Sequence, residues 1–301
     1  MQSDRKRGGD LDMVMTIDAP PTFDIQVEDV EYQRQGDRAL LGRLYRPIGA
    51  GPFAAVLEVH GGAWTSKDRL NNADTATTLA QRGIVVLSID FRMPPEAPYP
   101  ASLQDINLAI RWLKGHARDY GSSPERVGAY GTSSGGHQVL LTALRPNDAR
   151  YRALKLAGAP GADLGLDASL AFVISGWGVL DPLARYRLAQ QLGKTELVKN
   201  HDAFWGSEDA MSEGSPPLIL ERGEPVALPP AFVFQGTEDE WTSTEQAEHL
   251  AALYRAAGGT MELALFDGER HTFVNEHPTA PNAIKAVDMM TAFIRKYGGA
   301  P

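Results

Sequence analysis

The stretch Arg126-Val-Gly-Ala-Tyr-Gly-Thr-Ser-Ser-Gly-Gly-His137 constrains this chain more than any other. Val127-Gly-Ala-Tyr130 reads as a buried strand and Val139-Leu-Leu-Thr-Ala143 as a helix, and only small residues lie between them. Within it, Gly131-Thr132-Ser133-Ser134-Gly135 has the G-x-S-x-G form, a strand–turn–helix elbow that lifts a serine hydroxyl above a sheet. Side chains at Gly131 and Gly135 would strike the neighbouring strand and helix, so the turn demands glycine at both.

The rest of the chain supplies what such an elbow needs. Residues 1–20 read as a loose arm. Asp24–Tyr32 alternates apolar and polar, as a half-exposed strand does, and Ala39–Tyr45 is its antiparallel partner across Gln35-Gly36-Asp37. Phe53–Val59 and Ile84–Ile89 are continuous apolar runs, which suits strands covered on both faces. Further strands are expected at Leu170–Ile174, Ala231–Phe234 and Met261–Phe266. Helices are expected at Ala73–Gln81, after the proline-rich segment Met93–Pro100 with Leu103, Ile106, Ile110 and Leu113 on one face, and at Thr244–Ala257. Ile284, Val287, Met290 and Ile294 stripe a last helix. Residues 178–215 read as short helices outside this alternation, a cap or lid inserted into one domain of 301 residues. Two antiparallel strands followed by alternating strands and helices predict an α/β architecture, one mostly parallel eight-stranded sheet with helices on both faces. Right-handed crossovers then place the strand C-terminal ends on one edge, where sites gather.

Composition narrows the chemistry. No cysteine is present, so disulfides, thiolate metal sites and a cysteine nucleophile are excluded. A net charge of −9 and a pI near 5.3 argue against a nucleic-acid surface. No uninterrupted apolar run is long enough for a membrane helix, and the opening Met1–Asp10 is polar, which points to a cytoplasmic protein. No metal or organic cofactor is expected, and a homo-oligomer is compatible with the sequence.

Three further segments end at the same edge as Ser133: His60-Gly-Gly-Ala-Trp64, Gln235–Glu240 and Asp267–Phe273. A serine hydroxyl needs a base, for which His271 is the candidate and His277 the competitor. The base needs a carboxylate to hold its tautomer, for which Asp239 is the candidate, with Glu238 and Glu240 beside it. His137 is expected to pack, and His116, His201 and His249 to lie on the surface. In the His60–Trp64 segment, the N–H groups of Gly62 and Ala63, joined by that of Ser134, would face a developing oxyanion, while Gly61 shapes the turn of this oxyanion hole. Each such donor contributes about 3–4 kcal/mol. Trp64, Trp177, Trp205 and Trp241 lie on or near loops of this edge and are candidate pocket walls.

The ordered set His60–Trp64, Asp90-Phe-Arg-Met93, Tyr99–Asp105, Gly131–Gly136, Gly236–Asp239 and His271-Thr-Phe273 resembles the esterase and lipase group of the α/β-hydrolase superfamily. It is most similar to the hormone-sensitive-lipase-like and feruloyl- or acetyl-esterase-like branches, from about Phe53 to Lys296. The resemblance implies an α/β-hydrolase fold with Ser133 as nucleophile, Asp239 as acid and His271 as base. It also implies a carboxylic-ester hydrolase that acts on a small-molecule ester through an acyl-enzyme. The chain departs from the lipase-like pattern at Ala63, where a third glycine is usual, at Thr132-Ser-Ser134, and at Gln235, where histidine is common. The His-Gly-Gly-x-Trp form also resembles kynurenine formamidases, so an amidase or arylformamidase using the same triad is the alternative. A non-catalytic small-molecule receptor on this fold usually lacks a triad member, and none is missing here.

Overall fold

The computed structural model describes residues 22–156 and 165–299. The expected N-terminal arm, residues 1–20, lies outside them. Strands β1 (Ile25–Gln35) and β2 (Arg38–Pro47) form the antiparallel hairpin. Then follow β3 (Ala54–Val59), α1 (Ala73–Gln81), β4 (Ile84–Ile89), α2 (Ala101–His116), β5 (Val127–Thr132) and α3 (Ser134–Leu144). After β6 (Val173–Gly176) come four consecutive helices, α4 (Pro182–Gln191), α5 (Thr195–Trp205), α6 (Glu208–Glu213) and α7 (Pro216–Glu221). The alternation resumes with β7 (Ala231–Gly236), α8 (Thr244–Ala256) and β8 (Met261–Phe266), and ends with α9 (Phe273–Glu276) and α10 (Pro281–Gly298).

The eight strands form one sheet in the order β1-β2-β4-β3-β5-β6-β7-β8. β2 runs antiparallel to both its neighbours and the remaining pairings are parallel. The C-terminal ends of β3, β5, β7 and β8 therefore share one edge, as the sequence pattern predicted. The two-residue period of a strand splits the apolar runs between two layers. Ala55, Leu57 and Val59 of β3 join α2, α3 and α8 in one core, whereas Ala54 and Val56 join α1 and α10 in the other. A strand sandwiched this way is apolar at most positions, which is why β3, β4 and β5 read as nearly continuous runs, interrupted by Glu58, Ser88 and Thr132.

Two local expectations shift. The strand expected at Leu170–Ile174 begins at Val173 instead, because the chain bends at Ala171 before it joins β7. On α10, Val287, Met290 and Ile294 are buried, but Ile284 is 45% exposed. Two steps of three residues carry a side chain about 120° round a helix, so Ile284 and Met290 cannot share a face. Ala283 and Ala286 complete the buried stripe.

Among the described residues, no helix is long and apolar enough to cross a membrane.

Candidate active site

Ser133 sits at the apex of the turn from β5 into α3 with φ +52° and ψ −121°, a conformation that non-glycine residues seldom adopt. Three backbone bonds hold it there. The Ser133 N–H donates to the Gly176 carbonyl at 3.0 Å, and the Ser133 carbonyl accepts from the N–H groups of His137 and Val179. The flanking glycines are sterically required, as expected. A Cβ on Gly131 would stand 2.4 Å from the Gly135 carbonyl oxygen, and one on Gly135 would stand 2.1 Å from that of Val59. The helix thus begins hard against the end of β3.

The loops after β7 and β8 bring the other two groups to this apex. His271 Nε2 lies 3.0 Å from Ser133 Oγ, and His271 Nδ1 lies 2.7 Å from Asp239 Oδ2. The carboxylate can only accept, so Nδ1 carries the ring proton and Nε2 is left to accept from the serine hydroxyl. Asp239 is held from every side. Its Oδ1 accepts from the N–H groups of Trp241 and Thr242, and its Oδ2 from Gln235 Nε2 at 2.7 Å and Thr242 Oγ1 at 2.9 Å. Burial alone would raise this carboxyl; its hydrogen bond and charge attraction with His271, then the bonds from Trp241 and Thr242, override burial and hold it below the usual carboxylate range. Glu238 and Glu240 are exposed, as is His277, and none of the three reaches Ser133.

The loop after β3 closes the other side. Gly62 has φ +103°, and Ala63 and Trp64 follow with φ +51° and +64°. A Cβ on Gly62 would stand 2.1 Å from the Ser66 carbonyl oxygen, so glycine is obligatory there. His60, buried and stacked on Phe91, donates from Nδ1 to the Gly61 carbonyl at 2.7 Å. In a trans peptide the next N–H points the opposite way, so the Gly62 N–H faces away from His60. Ser134 Oγ accepts from the Trp64 N–H at 3.1 Å, pinning the loop to the first residue of α3. Among the described residues no acceptor takes the N–H of Gly62, Ala63 or Ser134. Gly61 lies against Ser133, where a Cβ would come within 3.0 Å of the serine Cβ.

A cavity of about 970 Å³ opens onto these groups and is lined by Ser133, His271, Gly61, Gly62 and Ala63. Of the four candidate tryptophans, Trp177 and Trp241 line it. Trp64 and Trp205 do not. Both are buried with Phe204, Tyr186 and Met211 beneath helices α4 to α6, Trp64 stacking on Phe204 at 5.3 Å. The positive φ of Trp64 turns its indole away from the cavity wall and into this aromatic cluster. His201 also departs from expectation. It is fully buried beside Trp64, at 5.0 Å between ring centroids, and donates from Nδ1 to the Leu197 carbonyl. His137 packs as expected, its Nε2 donating to the Gly214 carbonyl. Burial pushes both His137 and His201 down to about 4.

Local sequence reasoning missed two other features. Under the elbow, buried Glu58 accepts from Asn72 Nδ2, which also reaches Thr132 Oγ1, while Asn275 Nδ2 donates to Asn72 Oδ1 at 2.6 Å. Burial pushes the Glu58 carboxyl up to about 7, against the opposing bond from Asn72. A glutamate in an apolar run was the only available signal. The second feature is Arg185 of α4, buried on the cavity wall, which no local pattern distinguishes from a surface arginine.

The BD-FAE family model matches residues 44–254 of the chain. The probable carboxylic ester hydrolase LipM of Mycobacterium tuberculosis (strain ATCC 25618 / H37Rv) is 27% identical over 228 residues, 70% of this chain and 51% of LipM. Carboxylesterase NlhH of Mycobacterium tuberculosis (strain CDC 1551 / Oshkosh) is 25% identical over 309 residues, 93% of this chain and 86% of NlhH. The chain spans only 51% to 60% of the length of LipM and the three relatives ranked beside it. Among solved structures, Thermogutta terrifontis esterase 2 phosphonylated by sarin superposes with a TM-score of 0.73 at 23% identity, covering 94% of this chain and 97% of that one.

Proposed function

The chain belongs to the BD-FAE family, and from that premise we propose that it is a serine hydrolase of small carboxylic esters with the α/β-hydrolase fold. One observation carries the proposal: the unbroken relay from Asp239 through His271 to Ser133, beside three backbone N–H groups that have no acceptor of their own. The ester-hydrolase names of LipM and NlhH support the same reaction.

In the first half-reaction His271 Nε2 takes the hydroxyl proton as Ser133 Oγ bonds to the ester carbonyl carbon. The former carbonyl oxygen becomes an oxyanion, which the N–H groups of Gly62, Ala63 and Ser134 stabilise. Asp239 stabilises the imidazolium formed at this point. The intermediate collapses, the C–O bond to the alcohol breaks, and His271 gives its proton to the departing oxygen. Water then adds to the acyl-Ser133 as His271 accepts one of its protons, and the second collapse returns that proton to Ser133 and frees the acid. Helices α4 to α6, within residues 178–215, act as a cap, with Trp177 and Trp241 as walls of the substrate cavity.

The test joins labelling to turnover. A fluorophosphonate should modify Ser133 alone, and Ser133→Ala should abolish hydrolysis of short p-nitrophenyl esters. A label on any other residue removes the nucleophile assignment. Wild-type protein that ignores those esters but cleaves N-formylkynurenine establishes the amidase alternative instead.

A further inference from the structure

Three cations are buried among the described residues: Arg111, Lys114 and Arg185. Two of them are partnered. Arg111 donates to Asn107 Oδ1 and the Leu154 carbonyl, and Lys114 to Asp167 and Ser169. Arg185 is not. Only 6% of it is exposed, its Nε and Nη1 are sealed from solvent without an acceptor, and none of its side-chain nitrogens donates a hydrogen bond among the described residues. Its guanidinium carbon lies 6.0 Å from the centroid of the Trp64 ring. A cation–π contact offsets only part of the cost of taking a guanidinium out of water. Burial accordingly pushes Arg185 down to about 10, opposed by the attraction of Asp239. That carboxylate is already taken up by His271, Gln235, Thr242 and the Trp241 N–H.

Arg185 lines the cavity that Ser133 and His271 also line. A guanidinium presents donors suited to a carboxylate, and Nη2, the one side-chain nitrogen that is not sealed off, has no acceptor among the described residues. Lys67 and Lys194 add positive charge to the same cavity. Of its two acids, Glu196 is paired with Lys199 and Glu276 accepts from Thr272 Oγ1. Three cations against two carboxylates leave this lining one net positive charge, in a protein whose net charge is −9. We propose that Arg185 is an anion subsite, and that the ester taken by this cavity carries a carboxylate which accepts from the guanidinium's exposed Nη2 and pairs with its charge. This rests on the ester-hydrolysing role proposed above.

Binding can be measured without turnover, in Ser133→Ala, by isothermal titration with two matched pairs of esters. Monoethyl succinate and ethyl 4-methylpentanoate differ by a carboxylate in the acyl half. Acetoxyacetate and isobutyl acetate differ by one in the alcohol half. The anionic member of one pair should bind at least tenfold more tightly than its neutral isostere, and the pair that responds identifies the half facing Arg185. Adding Arg185→Met should cut that ratio at least tenfold, and Arg185→Lys should restore part of it. Equal or tighter binding of the neutral member in both pairs overturns the subsite, and so does a charge preference that survives Arg185→Met. The Ser133→Ala preference decides the matter alone should Arg185→Met fail to fold. Absence of wild-type turnover on all four esters counts against the ester reading and leaves this binding result standing.

Discussion

The edge of the sheet and the helices that cover it are built on different physical terms. At the edge, backbone sterics leave little choice. Gly131 and Gly135 permit one approach of α3 to β3, and Ser133 is held at φ +52° by three backbone bonds. Under the cover, side chains decide. Trp64, Phe204, Trp205, His137 and His201 interlock through ring contacts, and Arg185 is left without a hydrogen-bonding partner among the described residues. On the proposed function, reaction chemistry is set where the backbone is most constrained. On the same reading, selectivity would be set where packing is a matter of side-chain choice and can vary without disturbing the proposed triad.

The largest effect that should separate the regions is at Asp239. Asp239→Asn is expected to lower kcat on the order of 10⁴-fold, since an amide neither stabilises the imidazolium nor holds its tautomer. Steady-state kinetics on a p-nitrophenyl ester will measure it, with cooperative urea unfolding as the check on folding. A loss below tenfold would mean that the relay seen at 2.7 Å is not the one used.

Next comes the cover. Trp205→Ala empties a site in the aromatic cluster and should cost about 3–5 kcal/mol of stability, read from chemical denaturation. At temperatures where the variant remains folded, kcat should stay within tenfold of wild type. A kcat loss as deep as that of Asp239→Asn would erase the distinction drawn above.

Titration supplies the finest comparison, because the two regions carry opposite signs. Glu58 beneath the edge is raised from 4.5 to about 7, so its contribution is fully present below pH 4.5 and is lost as pH rises toward 7. His137 and His201 beneath the cover are lowered from 6.5 to about 4, so theirs is present above pH 6.5 and is lost as pH falls toward 4. Each shift corresponds to about 3 kcal/mol across its window. Glu58→Gln keeps an acceptor for Asn72 and should stabilise the protein at pH 7.5 relative to pH 5 by about 2–3 kcal/mol over the wild-type difference, from urea melts at both values. An unchanged difference would show that Glu58 already has its ordinary affinity for protons.

How much was legible follows the same division. The strands, their edge, the elbow and the three groups that meet there could be read from runs of apolar residues, glycine spacing and loop position. Rivals such as His277 and Glu238 fell away only when exposure and distance were known. Ile284 looked core-facing because a spacing of three is helical, yet repeated threes drift round the helix. His201 looked like a surface residue because α5 is rich in polar groups, but the face it shares with Leu197 and Trp205 is the one turned inward.

The sequence by itself determined where Ser133, the proposed nucleophile, stands. A turn that admits no Cβ at two positions, between a buried strand and a helix, has one steric solution wherever it occurs. It likewise determined that the loops bearing Asp239 and His271 reach the same edge, since parallel crossovers end there. Only the tertiary structure decided which tryptophans wall the cavity, that a glutamate is buried beneath the elbow, and that Arg185 faces the cavity with no hydrogen-bonding partner among the described residues. Side-chain direction and partnership depend on contacts between residues far apart in the chain, and no local pattern encodes them.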